Sequence, residues 1–316
     1  MQKWYADIIE EGRILVNENS HKTPQRALPE AGDFIRFSQW NPGCRCGIIA
    51  GKKERAFPMN VNIWTFVIVC PLIFLAGFVD SIAGGGGVIS LPAYLIAGVP
   101  IKLAAGTNKF ANGCGTALAS YKYMKSGNIN WRCALPAAAG SLLGSAAGSS
   151  LAVYMPEALL QMVVLTALPV VALMLVFFRD FGKAEKPPKA PGETIALSGI
   201  IGTAIGLYDG LIGPGTGTFL TIAFSAVLGY SLLKSSGCAK IANLASNVAS
   251  MVVFFCHGDI LFSVGIPAMA CSMLGNYMGS RFAIRGGSTK IRRVIFLVLG
   301  LLFVKVGLNV LGIIDF

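Results

Sequence analysis

Histidine, acidic side chains and every familiar catalytic spacing are scarce in this chain. It holds two histidines, His21 in a polar N-terminal segment and His257 in a short connection, and its apolar portion has no HExxH, DxD, CxxC or Ser-His-Asp set. No catalytic residue, metal or cofactor is assigned, and an enzyme is not expected. Charged residues make up 13% of the sequence against 54% hydrophobic, too few to wet the surface of a soluble domain. What is present instead is a succession of apolar runs from Val61 to Gly312, long enough for helices in a bilayer core of about 30 Å. The runs are continuous and do not alternate, which favours helices over a barrel.

The formal net charge of +11 could point to nucleic acid, but the basic residues sit in short connections between apolar runs and read as topology signals; no nucleic-acid partner is expected. Six of the eight cysteines, Cys70, Cys114, Cys133, Cys238, Cys256 and Cys271, lie inside apolar segments, where each packs as a small hydrophobe. Cys44 and Cys46 form a Cys-x-Cys pair without further ligands. Residues 1–58 are polar and lack the layout of a secretory signal. They read as a disordered tail or as sequence upstream of a native start at Met59.

Beyond the tail the sequence repeats itself. GFVDSIAGGGG at Gly77 to Gly87 echoes GLYDGLIGPGT at Gly206 to Thr216, matching Asp80 with Asp209 and Gly84 with Gly213. Further on an offset of 131 pairs Gly98 with Gly229, Lys109 with Lys240, Asn112 with Asn243, Gly127 with Gly258 and Gly144 with Gly275. Between residues 98 and 152, sixteen of fifty-five positions are identical at this offset without a gap, and composition does not explain a matched Lys or Asn in apolar sequence. The expected organisation is a membrane repeat at 59–180, a cytoplasmic linker at 181–191 and a second repeat at 192–316.

Apolar segments fall near 61–82, 88–101, 103–124, 129–152 and 157–178, then near 193–209, 215–233, 235–256, 260–284 and 291–314. The fold class read from this is an all-α integral membrane protein of two homologous repeats, inverted in the membrane, with eight long helices plus two short or broken ones, eight to ten crossings in all. Ten crossings or partial crossings, with both termini outside, put nearly all loop lysines and arginines on the cytoplasmic side. Eight would strand the Arg281 to Arg293 cluster outside. Trp64 and Trp131 read as interfacial anchors, and Gly140, Gly144 and Gly148, with Gly275 and Gly279, as close-packing faces.

Two constellations carry the chemistry. Gly84-Gly85-Gly86-Gly87 and Gly213-Pro214-Gly215-Thr216-Gly217 should break the helix and expose backbone amides. Paired breaks of this kind mark the binding site of a secondary transporter, where restarting helices favour anions, although a tight turn at the membrane surface would look the same. Lys109 and Lys240 each lie in an otherwise small or apolar segment, where an ionisable group costs roughly 2.5–3.5 kcal/mol and tends to be functional or paired; each could instead snorkel to the interface. Two lysines with Asn108, Asn112, Asn243, Asn247 and Ser246 as neutral donors would suit a small oxyanion. Asp80 and Asp209 could pair with a lysine or carry a coupling proton, or could cap the glycine breaks.

At these residues the chain resembles the TauE/SafE family of sulfite exporters and related anion permeases. The resemblance covers about residues 59 to 314 and rests on AGFVDSIAGGGGVISLPAYLIAGVP, AAGTNKFANGCGT, IGLYDGLIGPGTGTFL and AKIANLASN. It implies a multi-span permease of the bacterial inner membrane, without prosthetic group, for sulfite, sulfonates or similar anions. By the match Gly84, Gly85, Gly86, Gly87, Thr107, Asn108, Lys109, Gly213, Pro214, Gly215, Thr216, Gly217, Lys240, Asn243 and Asn247 occupy motif positions. The expected partners are a small anionic solute and membrane lipid. A passive anion channel, or a permease for a non-sulfur organic anion, is the other reading.

Overall fold

The computed structural model describes residues 63–160, 162, 189–211 and 213–310, and at 292 and 295–310 the backbone alone. The polar tail with Cys44 and Cys46, most of the linker and most of the segment read at 157–178 lie outside the described residues. Among those described no strand occurs. The elements are α1 (Ile63–Ala83), α2 (Gly87–Ile96), α3 (Ile101–Lys125), α4 (Trp131–Tyr154), α5 (Pro191–Leu211), α6 (Thr216–Leu228), α7 (Leu232–Cys256) and α8 (Phe262–Val310). Non-helical backbone at Gly287 divides α8 into two helices. Three of these helices, α1, α5 and α7, are long and apolar enough to cross a membrane by length and composition. In α3 four lysines and several Gly and Asn residues dilute the apolar run. The eighth long helix of the sequence reading falls on residues outside the description.

The short helices are shorter than read. The segment expected at 215–233 is a helix over Thr216–Leu228, because Gly229 adopts a φ of 74° and ends it. At 1.5 Å per residue α2 is about 15 Å long and α6 about 20 Å, well short of a bilayer core. Neither continues the helix before it. Gly86 abuts Ala76, and Leu91 and Tyr94 pack with Ile73 and Val69, so α2 runs back along α1. In the same way Leu220, Phe224 and Leu228 of α6 pack in one cluster with Ile205, Ile201 and Leu197 of α5. Each pair is a helical hairpin whose turn is the glycine-rich segment.

Matched positions make matched turns. Positive φ occurs at Gly84 and Gly213 (79° and 89°), at Gly98 and Gly229 (79° and 74°) and at Gly127 and Gly258 (72° and 75°). Helix packing follows the same pairing. Gly140, Gly144 and Gly148 bring α4 against the backbone of α5 at Gly199, Thr203 and Leu207, and Gly275 and Gly279 bring α8 against α1 at Phe74 and Phe78. These contacts leave no room for a Cβ, so the small-residue faces serve close packing.

Leu135, Leu143, Ile200 and Leu274 stay exposed, as do Trp64 and Trp131. Such an apolar exterior suits lipid as the solvent. Lys122 and Lys125 line one cleft with Arg281 and Arg285, which puts the basic ends of α3 and α8 on the same side of the bundle. Lys102 reaches the Val153 carbonyl near the C-terminal end of α4, toward the opposite ends of α3 and α4.

Candidate functional site

The two glycine turns meet inside the bundle. Gly84 and Gly217 are in backbone contact, the Thr218 hydroxyl donates to the Ala83 carbonyl at 2.7 Å, and Gly87 packs against Pro214. A side chain at Gly84 would meet both a positive φ and the facing backbone, so glycine is required there by conformation and by space. Breaks in backbone pairing are tolerated at such depth only where protein or a polar cavity satisfies the freed groups.

The helices that thread past this junction supply charge. Lys109 of α3 lies 2.7 Å from Asp209 Oδ2 at the end of α5, and Lys240 of α7 lies 2.8 Å from Asp80 Oδ2 at the end of α1. Each lysine therefore pairs with the carboxylate that belongs to the other half of the sequence. Lys240 also donates to the Asp80 carbonyl. Both pairs are buried, with side-chain exposures of 7% and 3% for Lys109 and Asp209 and of 1% and 9% for Lys240 and Asp80. Neither lysine snorkels outward. Burying isolated charges of this kind would be prohibitive, and mutual pairing with further hydrogen bonds is what permits it.

Around Asp209 the hydrogen bonding is dense: the Thr216 hydroxyl donates to Oδ1 at 2.7 Å and the Ser246 hydroxyl donates to Oδ2. Asp80 has in their place the Gly86 amide, which donates to Oδ1 at 3.4 Å. The Asp80 carboxylate is thus both an ion-pair partner and a weak cap of its glycine turn. Polar side chains extend the site along α3 and α7. Asn112 donates to Asn108 at 2.8 Å, Asn247 donates to Asn243 at 3.3 Å, and Ser272 of α8 donates to Asn112 at 3.4 Å.

A cavity of about 20 Å³ lies at the junction, walled by Asp80, Lys109, Asp209, Asn108, Asn112, Asn243 and Asn247 together with Gly84, Gly87, Gly213, Thr216 and Gly217. That is room for roughly one water molecule. Of the residues singled out from the sequence, Lys240, Ser246, Thr107, Gly85, Gly86, Pro214 and Gly215 are not on this wall. Lys240 is sealed behind Asp80. Thr107 is turned away, its hydroxyl accepting the Leu261 amide at 2.9 Å where the chain enters α8. The sequence reading missed Ser272, although Ser141 and Ser272 match at the repeat offset and α8 brings Ser272 onto Asn112.

Residues 69–306 match the family described as Sulfite exporter TauE/SafE. The chain belongs to the TauE/SafE family. It is 35% identical over 225 residues to a probable membrane transporter protein, ORF9, of a Sinorhizobium species, covering 71% of this chain and 85% of that one. To a probable membrane transporter protein of Haemophilus influenzae it is 32% identical over 240 residues, 76% of this chain and 93% of the relative. To the probable membrane transporter protein YfcA of Escherichia coli K12 it is 30% identical over 248 residues, 78% and 90% of the two chains. No solved structure matches the chain. Relatives in the TauE/SafE family are described as membrane transporters and not as enzymes, and the apolar helices agree: this is a membrane-embedded transport protein.

Proposed function

We propose that the protein is a secondary transporter that moves a small oxyanion, sulfite, a sulfonate or a related sulfur-containing anion, across the cytoplasmic membrane. The observation that carries this is the polar cavity at the meeting point of two helical hairpins, flanked by the crossed pairs Lys109–Asp209 and Lys240–Asp80. The arrangement reads as two repeats of opposite orientation, 59–180 and 192–316, joined by a linker on the side that carries the basic cleft. That side is the cytoplasmic one by the distribution of lysine and arginine, which leaves both termini outside.

In this reading the cavity is the solute site in a closed state. A space for one water is too small for sulfite, so one hairpin tip must withdraw to admit the anion and the other to release it. Gly87 at the amino-terminal end of α2 and Thr216 and Gly217 at that of α6 line the cavity, and the positive dipole ends of these helices attract negative charge. Lys109 and the asparagines supply the remaining donors.

Electrostatic balance supports proton coupling. Two lysines and two aspartates leave the empty site without net charge, so an entering monoanion would add one uncompensated negative charge in a medium of low dielectric. A proton carried on one aspartate removes it. Asp80 and Asp209 both line the cavity and are the candidate carriers; among the described residues Asp80 receives Lys240 and the Gly86 amide, against Lys109 and two hydroxyls at Asp209.

Reconstitution in liposomes tests the proposal. Sulfite, sulfoacetate, taurine, sulfate, thiosulfate and small carboxylates would be screened for flux with and without a pH gradient. Saturable movement of at least one sulfur oxyanion, faster when the compartment it leaves is the more acidic, is the expected result. Flux proportional to concentration without limit and indifferent to the gradient would make the protein a passive channel instead.

A further inference from the structure

The basic end of the bundle carries a feature that solute transport does not use. Two clefts adjoin there, of about 550 Å³ and 410 Å³, and share Tyr277, Arg281 and Arg285 of α8. The first opens between α8 and the end of α3, where Lys122 and Lys125 complete its rim. The second opens toward α1 and is walled by Phe78, Met278 and Phe282, with Lys290 at its edge. No carboxylate lines either cleft, and among the described residues none of these five cations is paired with one. Lys122 lies over the Tyr277 ring at 3.1 Å and Lys290 over the Phe282 ring at 4.4 Å, so two of the five rest on aromatic faces.

The groove is therefore cationic at one end and apolar at the other. It also lies where α3 ends and α4 begins, at the depth where exposed Trp131 marks an interface. Tyr277, Met278 and Phe282 are 44%, 52% and 38% exposed, an apolar strip that starts beneath Lys290 at Phe282 and extends along α8 to the turn before Arg281. A small hydrophilic anion would satisfy the cations and leave that strip unused. A phosphodiester bearing acyl chains matches both ends.

We infer that this groove binds the headgroup of an anionic glycerophospholipid, with the phosphate between Arg281, Arg285 and Lys125 and an acyl chain along Met278 and Phe282. Clusters of basic residues between helices at the cytoplasmic surface favour such headgroups through charge and hydrogen bonding. The inference depends on membrane embedding and not on the identity of the transported solute.

The test is lipid retention by the purified full chain in detergent, read by native mass spectrometry after addition of phosphatidylglycerol, phosphatidylcholine or soluble glycerol phosphate at equal concentration. The intact protein should retain phosphatidylglycerol and neither of the others. Arg281→Gln/Arg285→Gln should weaken retention about twentyfold, from a few-fold loss per charge. Arg281→Lys/Arg285→Lys should keep most of it, and Arg132→Gln, which removes a cation at the same end but outside the groove, should change it little. Both arginines are exposed, so these variants should fold, and an unchanged elution profile checks that they do. Retention of phosphatidylcholine to the same degree would overturn the inference, as would equal binding of glycerol phosphate or undiminished retention by the glutamine double variant.

Discussion

Asp209 and Asp80 hold matched positions in the two halves, yet their surroundings differ. Asp209 receives Lys109 and the hydroxyls of Thr216 and Ser246, whereas Asp80 receives Lys240 and a long contact from the Gly86 amide. The cause lies in the sequence, because Gly87 and Gly115 stand in the first half where Thr216 and Ser246 stand in the second. Pairing alone is thus common to both halves, while hydrogen-bond saturation belongs to one. The saturated carboxylate is held in place by three side chains. The other depends on a single lysine, and both carboxylates line the cavity.

Mutations at the two lysines should separate these roles most strongly. Lys240→Met leaves the buried Asp80 carboxylate with one weak donor, and breaking a buried pair from one side costs about 3–5 kcal/mol. Lys109→Met leaves Asp209 with two hydroxyl donors and should cost clearly less. Thermal unfolding in one detergent would compare them, and equal losses would break the distinction drawn between the pairs. Lys240→Met combined with Asp80→Leu should recover much of the stability lost by Lys240→Met alone, since an apolar replacement of a buried ion pair is often neutral. A smaller effect is expected on the saturated side, where Ser246→Ala should cost about 1–2 kcal/mol by removing one of three donors.

Much of this was legible before the fold was known. The segments read at 103–124 and 129–152 are helices over Ile101–Lys125 and Trp131–Tyr154, and apolar runs bounded by Gly, Pro and Asn placed them. The matched Lys and Asp residues stood out because charge is costly in lipid. Which lysine meets which aspartate was not legible, because each pair joins the two halves through hairpins that touch only in three dimensions. Between capping and ion pairing the sequence left Asp80 open, and the structure shows it doing both. Thr107 entered the site reading through the family motif it shares with Asn108 and Lys109, but successive helical residues turn by about 100° and its hydroxyl accepts from the Leu261 amide.

Thr107 gives the smallest predicted effect. Thr107→Val keeps the shape and removes that acceptor, so it should lower stability by about 1–2 kcal/mol and leave flux within about twofold. A loss of flux without loss of stability would return Thr107 to the solute path.

The most direct test of the central account is sulfite flux into liposomes for the intact protein, Lys109→Ala and Arg132→Ala, at equal reconstituted amounts and with folded protein verified by elution. Lys109 lies on the cavity wall and Arg132 lies on the exposed first turn of α4. The account predicts flux near background for Lys109→Ala and unchanged flux for Arg132→Ala. Equal flux in all three would contradict it.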